Sequence, residues 1–167
     1  MKKQIREYAI QCIKDEVDAV MGLIPQLDDD FERAVELIYN CRGKVIVTGV
    51  GKSGHIGAKI AATFSSTGTP SFFINPLDVY HGDLGVMTHD DVVLAISNSG
   101  QTDELLRFIP MVLHMNIPII GMSTSFTRSC WMAWRFMRIP RNSTKAIFGL
   151  PPSLSLRNST WKPCVER

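Results

Sequence analysis

The sequence predicts an α/β protein in which a parallel β-sheet is covered by helices on both faces. Three observations carry that reading. Short β-branched runs alternate with stretches of helical apolar spacing from residue 44 to residue 122, the order that builds βαβ units. Gly/Ser-rich turns follow two of those runs, at 48–57 and 97–104, where open parallel sheets bind ligands. The chain has 167 residues, 45% hydrophobic and 20% charged. That length suits one domain with a sizeable core, and the composition excludes disorder, collagen or coiled coil as a global description.

Residues 3–24 place Ile5, Tyr8, Cys12, Ile13, Val17, Val20, Met21 and Ile24 at near-helical spacing among charged residues, which predicts an amphipathic helix. Pro25 and the run Asp28-Asp29-Asp30 interrupt it. A second helix carries Phe31, Ala34, Val35 and Ile38, with acids at its positive N-terminal end and Gly43 as its stop. The run Lys44-Val45-Ile46-Val47-Thr48 reads as a buried strand. A helix over 54–65, strands over 71–75 and 92–97, a helix over 102–115 and a strand over 117–122 follow. The organisation expected is N-terminal helices over 1–43, a ligand-binding core over 44–123 and a distinct segment over 124–167.

The net charge of +2 conceals a split. Residues 1–123 carry −5, whereas 124–167 carry +7 with Glu166 as their single acid, all three tryptophans and four of the nine prolines. Basic and aromatic residues together raise nucleic-acid binding. Here they are scattered among Pro, Ser and apolar residues without a recognisable module, so nucleic acid is not an expected partner. Cys12, Cys41, Cys130 and Cys164 are widely spaced with no C-x-x-C pair, which predicts free thiols in a reducing cytoplasm. The N-terminus lacks the apolar run of a signal peptide. No stretch reaches the ~18 apolar residues of a membrane span, so no membrane partner and a cytoplasmic location are expected.

The first turn, Thr48-Gly49-Val50-Gly51-Lys52-Ser53-Gly54-His55-Ile56-Gly57, lets the backbone approach an anion at the start of a helix. It matches G-x-G-x-x-G, but the second strand ends at Asn75 with Asp78 beyond it, so the ribose-holding acid of a dinucleotide site is poorly supported. A P-loop needs a glycine where Ile46 stands. A tight strand-to-helix turn without ligand stays open. The second turn, Ser97-Asn98-Ser99-Gly100-Gln101-Thr102-Asp103-Glu104, crowds three hydroxyls ahead of a helix. One helix cap uses one hydroxyl; the surplus suits a compact phosphate monoester. Glu104 has the competing reading of a carboxylate that complements the helix dipole. Between the turns, His81 in Val79-Tyr80-His81-Gly82-Asp83-Leu84-Gly85 is the right type for proton transfer near neutral pH. His55, His89 and His114 read as structural. No His, Cys, Asp and Glu set has metal-site spacing, and no Ser–His–acid arrangement stands out.

The segments TGVGKSGHIGAKIAATFSSTGTPSFFINP, HGDLGVMTHDDVVLAISNSGQTDEL and IPIIGM resemble the sugar isomerase (SIS) domain, and within it the arabinose-5-phosphate isomerases that feed synthesis of the lipopolysaccharide sugar Kdo and related capsule sugars. The match runs from about residue 5 to residue 122. It implies a three-layer α/β/α fold of flavodoxin-like or Rossmann-like type with a five-stranded parallel sheet, assembled as a homodimer or homotetramer. It also implies interconversion of ribulose 5-phosphate and arabinose 5-phosphate through an enediol, with a sugar phosphate as partner and neither cofactor nor metal. By the same resemblance Gly51, Ser53, Ser97, Ser99 and Thr102 hold the phosphate. Lys52 supplies positive charge beside the phosphate or the enediolate. Glu104 is the favoured shuttling base and His81 the group acting on the oxygens, the reverse assignment staying open.

Two departures stand against the family pattern. Many members append a pair of CBS domains, which this sequence lacks, so regulation through them is not expected. Members also carry a histidine in a Ser-His-Pro-Gly-Gly type motif after a final helix, and here no histidine follows His114. Gly149-Leu150-Pro151-Pro152-Ser153 reads as a remnant of the stretch before that helix, and residues 157–163 do not read as the helix. Three readings therefore stay open: an active isomerase, a phosphosugar-binding module without catalysis, and a truncated or frame-disrupted isomerase.

Overall fold

The structure is a computed structural model that describes residues 2–123 and 147–148. The tryptophans, Cys130, Cys164 and the Gly149–Ser153 stretch lie outside the described residues. Packing divides the described chain between two compact units that meet at the Gln26–Leu27 bond in sequence.

The first unit is helix α1, Lys2–Met21, followed by a 3₁₀ turn at Ile24–Gln26. The second unit runs α2 (Asp29–Tyr39), β1 (Val45–Gly49), α3 (Lys52–Ser66), β2 (Ser71–Ile74), β3 (Val92–Ile96), α4 (Asp103–His114), β4 (Ile119–Met122) and β5 (Ile147–Phe148). The strands form one sheet in the order β2-β1-β3-β4-β5, every pair parallel. The α/β architecture expected from the alternation is therefore the architecture found. The fifth strand is only two residues long and lies in the segment where sequence pattern gave no strand.

Alternation along the strands builds two cores. Val45 and Val47 face one side with Ala34 of α2, Ala61 of α3 and Leu94. Ile46 faces the other with Val93, Leu105, Phe108 and Val112, the last three from α4. All five residues of β1 and of β3 are buried, which is why both read as continuous apolar runs rather than alternating ones. Helices thus cover both faces. The connection from β2 to β3 crosses the α4 side through two 3₁₀ turns, Asp78–His81 and Asp83–Val86, and anchors itself with Val79 and Met87 in that core.

Helix α2 is capped by Asp28, whose carboxylate accepts the N–H groups of Asp30 and Phe31. It ends at Asn40 rather than at Gly43. Gly43 has a different task. A Cβ there would run into Asp91 Oδ1 and lie 2.9 Å from the Asp90 backbone. Asp91, 1% exposed, closes this corner: Oδ1 accepts Lys44 N–H at 2.8 Å and Oδ2 accepts Thr88 N–H at 2.7 Å. Lys44 Nζ donates to Val86 O at 3.1 Å and lies 5.7 Å from the Phe72 ring centroid. The entrance of β1 and the exit of the 78–88 connection are thereby tied to one buried carboxylate.

Asp91→Ala removes the acceptor of two part-buried backbone donors, so urea denaturation is expected to show a loss of roughly 2 kcal/mol, with Asp91→Asn losing less because one acceptor survives. Cys41, beside Gly43, donates weakly to Asp90 O at 3.5 Å. Burial, followed by the charges of Asp91 and Asp90, pushes its thiol above the ordinary value of 9.0 despite opposing backbone hydrogen bonds. The protonated form is the one the fold favours. Its contribution is therefore complete below the unfolded thiol's pKa and is lost as pH climbs through the raised one. Denaturation midpoints of Cys41→Ala and the parent chain should run parallel from pH 7 to about 9 and converge above it.

Candidate functional site

The first turn leaves β1 at Gly49 and enters α3 at Lys52. Gly51 makes the bend at φ 60°, ψ −127°, a conformation that excludes most side chains. The turn is tight for a second reason. A Cβ on Gly54 would lie 2.8 Å from Gly49 O, and one on Gly57 would press on Phe73 and Val47 at 3.2 Å. Glycine at both positions lets α3 lie directly on β1 and β2. No side chain caps α3, and the first turn-closing bond is from His55 N–H to Gly51 O at 3.1 Å. The N–H groups at the start of α3 thus stand ahead of an exposed Lys52 and a half-buried Ser53.

The second turn leaves β3 at Ile96 and enters α4 at Asp103. Its hydroxyls do not cap the helix: Thr102 holds the N-cap position without a side-chain cap bond. Thr102 Oγ1 instead pairs with Ser97 Oγ at 2.8 Å, and Ser97 Oγ also accepts Gly100 N–H at 3.0 Å. Ser99 Oγ accepts Gln101 N–H at 3.2 Å. Gly100 at φ 66° turns the chain. The surplus of hydroxyls noted in the sequence is thus spent on shaping the loop, leaving the N-terminus of α4 uncapped. Asp103 and Glu104 sit in its first turn, Glu104 half buried.

Register brings the turns together. Gly49 pairs with Ile96, so the two turns leave adjacent strands at the same edge. A Cβ on Gly49 would meet Ile96 O at 3.0 Å and the Ser53 carbonyl carbon at 3.1 Å. From β1 the chain proceeds to β2 on one side, while β3 lies on the other. The crevice between β1 and β3 is the topological switch point, the standard ligand position in such sheets. β2 ends at the same edge, with Ile74 beside Thr48, and from there the backbone carries His81 in the first 3₁₀ turn, with Gly82 at φ 116° joining it to the second. The His81 side chain lies outside the described residues.

The structure therefore gathers Gly51, Lys52, Ser53, Ser97, Ser99, Thr102 and Glu104 at one sheet edge. It adds Ser123, which sequence reading passed over. Ser123 is 6% exposed at the exit of β4 and donates from Oγ to Asn98 O at 3.3 Å, bracing the second turn. Its signal was positional: a hydroxyl one residue past a strand end, on the edge where the two turns emerge. Thr48 has the opposite character, a fully buried Oγ1 without a hydrogen-bond partner just before the first turn. A separate groove of about 650 Å³, lined by Phe31, Val35, Ile38, Phe64 and Met122 among others, contains none of these residues and is apolar. Among the described residues no group of three or more His, Cys, Asp and Glu could hold a metal, and no helix is long and apolar enough to cross a membrane.

Comparison with known proteins gives the site a context. The model of the SIS domain matches residues 37–129. The chain is 51% identical over 115 residues to the Yersinia pestis protein named arabinose 5-phosphate isomerase KdsD, covering 69% of this chain and 35% of that one. It is 52% identical over 108 residues to the Pseudomonas aeruginosa protein of the same name, covering 65% and 33%. The chain thus spans about a third of the length of these curated relatives. Among solved structures, the Escherichia coli CFT073 protein c3406 in complex with arabinose 5-phosphate superposes with a TM-score of 0.74 at 34% identity, covering 90% of this chain and 75% of that one. The matched family segment contains both turns and the connection that bears His81, over half of the chain in all, and the chain belongs to the SIS domain family.

Proposed function

We propose that this chain is an aldose–ketose isomerase that interconverts D-ribulose 5-phosphate and D-arabinose 5-phosphate through an enediol, for Kdo, lipopolysaccharide or capsule sugar synthesis in the cytoplasm, working as a homodimer or homotetramer. The observation that carries the reading is the pair of uncapped helix N-termini beside one another at the β1–β3 crevice, each preceded by a glycine turn with hydroxyls. Such a site offers convergent N–H donors and dipoles to a single dianionic phosphate. The identity to proteins named arabinose 5-phosphate isomerase supports the choice of sugar.

In this reading Gly51, Ser53, Ser97, Ser99 and Thr102 hold the phosphate within the 44–123 core. Fixing that end of the substrate presents C1 and C2 at a constant place, which lowers the entropy cost of the reaction. Glu104, as carboxylate, takes the proton from C2 of the aldose. The electron pair moves to the C1–C2 bond and the carbonyl oxygen becomes the enediolate oxygen. His81 moves protons between O1 and O2, and Glu104 returns its proton to C1 to give the ketose. Lys52 stabilises the negative charge that develops during the transfer. Every atom and electron is conserved within the substrate, so the reaction asks for no redox partner.

A second reading is phosphosugar binding without turnover, for which the hydroxyls and helix N-termini of the two turns suffice. The two part on a single assay. Incubation with ribulose 5-phosphate is expected to yield arabinose 5-phosphate, and binding of the sugar phosphate by a folded chain that never turns it over would sink the isomerase reading. Glu104→Gln should lower kcat by about 10²–10⁴-fold while sugar-phosphate binding persists. Ser97→Ala should chiefly raise KM, because it removes a hydroxyl that both shapes the turn and meets the phosphate.

A further inference from the structure

Among the described residues, Thr48 is the one whose buried side-chain polar atom the fold leaves without a hydrogen bond: the residue is 0% exposed and its Oγ1 has no partner. Three β-branched apolar residues precede it in β1, Val45, Ile46 and Val47. A fourth valine would fill the same space with no hydroxyl to desolvate. A buried hydroxyl that pairs with nothing destabilises the chain that holds it. The free fold by itself therefore gives no reason for threonine at this position.

Strand and helix periodicity say what stands over it. Side chains alternate along β1, and Ile46 shares a core with Phe108 of α4, so Thr48 faces the α4 side as well. Its register partners Ile74 and Ala95 belong to that same core. Thr48 lies two residues beyond Ile46, about 6.6 Å nearer the sheet edge where the turns emerge. Helix α4 starts at that edge and runs back across the sheet, as the parallel β3–β4 pair requires. Glu104 is four residues ahead of Phe108, one turn or about 5.4 Å nearer the same edge. Phe108 is fully buried and Glu104 half buried. Thr48 and Glu104 thus share the next layer above Ile46 and Phe108, the layer that borders the crevice.

We propose that Thr48 is a positioning residue for Glu104. With a sugar phosphate in the crevice, the Glu104 side chain turns toward the sheet and Thr48 Oγ1 donates its hydrogen to one carboxylate oxygen, leaving the other directed at C1 and C2. This rests on the isomerase reading above, in which Glu104 carries the proton. The hydroxyl that is idle in the free chain gains its partner in the loaded one. Hydrogen bonds to a carboxylate are among the stronger ones, and this one fixes the rotation of a group that the α4 dipole attracts without orienting. Thr48 itself touches no substrate atom and transfers no proton.

Two substitutions in the full 167-residue chain separate the hydroxyl from the methyl group. Thr48→Val keeps the shape and removes the donor. It should melt no lower than the parent and bind arabinose 5-phosphate within about threefold of it, while kcat falls by about 10- to 100-fold. Thr48→Ser opens a small void yet keeps the donor, so it should melt lower while kcat stays within about threefold of the parent. In a Glu104→Gln background Thr48→Val should change kcat by less than about twofold, because the group it positions is gone. A Thr48→Val chain that melts lower and turns over like the parent has lost a structural hydroxyl, which overturns the proposal and leaves the isomerase reading intact. A Thr48→Ser chain as slow as Thr48→Val, or a full additive loss beside Glu104→Gln, does the same. A parent chain that binds the sugar phosphate and never turns it over overturns both.

Discussion

The molecule's chemistry depends on how closely α3 can lie on the end of β1. Gly49, Gly54 and Gly57 are the contact, and each would meet backbone or ring atoms at 2.8–3.2 Å if it carried a Cβ. Because α3 starts within three residues of the strand end, its N–H groups face the crevice instead of being spent in a longer loop. The register of β1 on β3 then determines what those groups confront. With Gly49 paired to Ile96, the second turn emerges beside the first. A slip of one residue would reverse the facing of every β3 side chain and carry Ser97 to the other side of the sheet. The apolar faces that oppose such a slip, Val93 toward α4 and Leu94 toward α2 and α3, therefore stabilise the site as well as the fold.

The hydroxyls of the second turn show how a loop can be braced while the N–H groups of the following helix stay without a side-chain cap. A serine or threonine at a helix start ordinarily accepts an N–H from the first turn, contributing about 1 kcal/mol to helix stability. Here Thr102 turns its Oγ1 to Ser97 instead. The helix gives up its own cap, and the loop gains cross-braces from Ser97 to Gly100, from Ser99 to Gln101 and from Ser123 to Asn98. An uncapped helix end held in a fixed position is a pre-organised anion receptor. The asymmetry between lost cap and rigid loop is the kind of local departure from stability rules that marks a functional segment.

Most of this was legible in the sequence because it rests on short-range rules. β-Branched runs such as Val45–Val47 and Val92–Leu94 have one plausible fate when bounded by turns, and both became buried strands. The glycine spacing of 49–57 announced a tight strand-to-helix turn. What sequence did not carry was the long-range use of residues with local explanations. Gly43 reads as a helix stop, but the stop is Asn40 and the glycine exists for Asp91, 48 positions away. Ser97, Ser99 and Thr102 read partly as caps, and only their mutual geometry shows that they are not. The apolar period of α1 predicted a helix correctly, yet period alone does not say what a face packs against. Ser123 gained its role only when β4 was seated next to β3.

Charge placement reconciles an acidic chain with the sugar phosphate proposed as its ligand. Residues 1–123 sum to −5, a field that repels a phosphate at long range. Asp90 and Asp91, however, precede β3, whereas the second turn follows it, and five strand residues separate them by roughly 17 Å. Ions screen interactions beyond about 8–10 Å, so those carboxylates act on their own corner, where Asp91 holds Lys44 and Thr88, and hardly on the crevice. Near the crevice the balance differs. The N-termini of α3 and α4 each present about half a positive charge, and Lys52 adds a full one. Against them stand Asp103 and Glu104, themselves favoured by the dipole of α4. A dianionic group entering the crevice therefore meets helix ends and a lysine at contact distance, where attraction is strongest, while Asp90 and Asp91 lie beyond the screening length. The same arrangement keeps a carboxylate at the rim of an anion site, a costly juxtaposition for binding alone and a useful one when a proton has to be moved beside the bound phosphate's sugar.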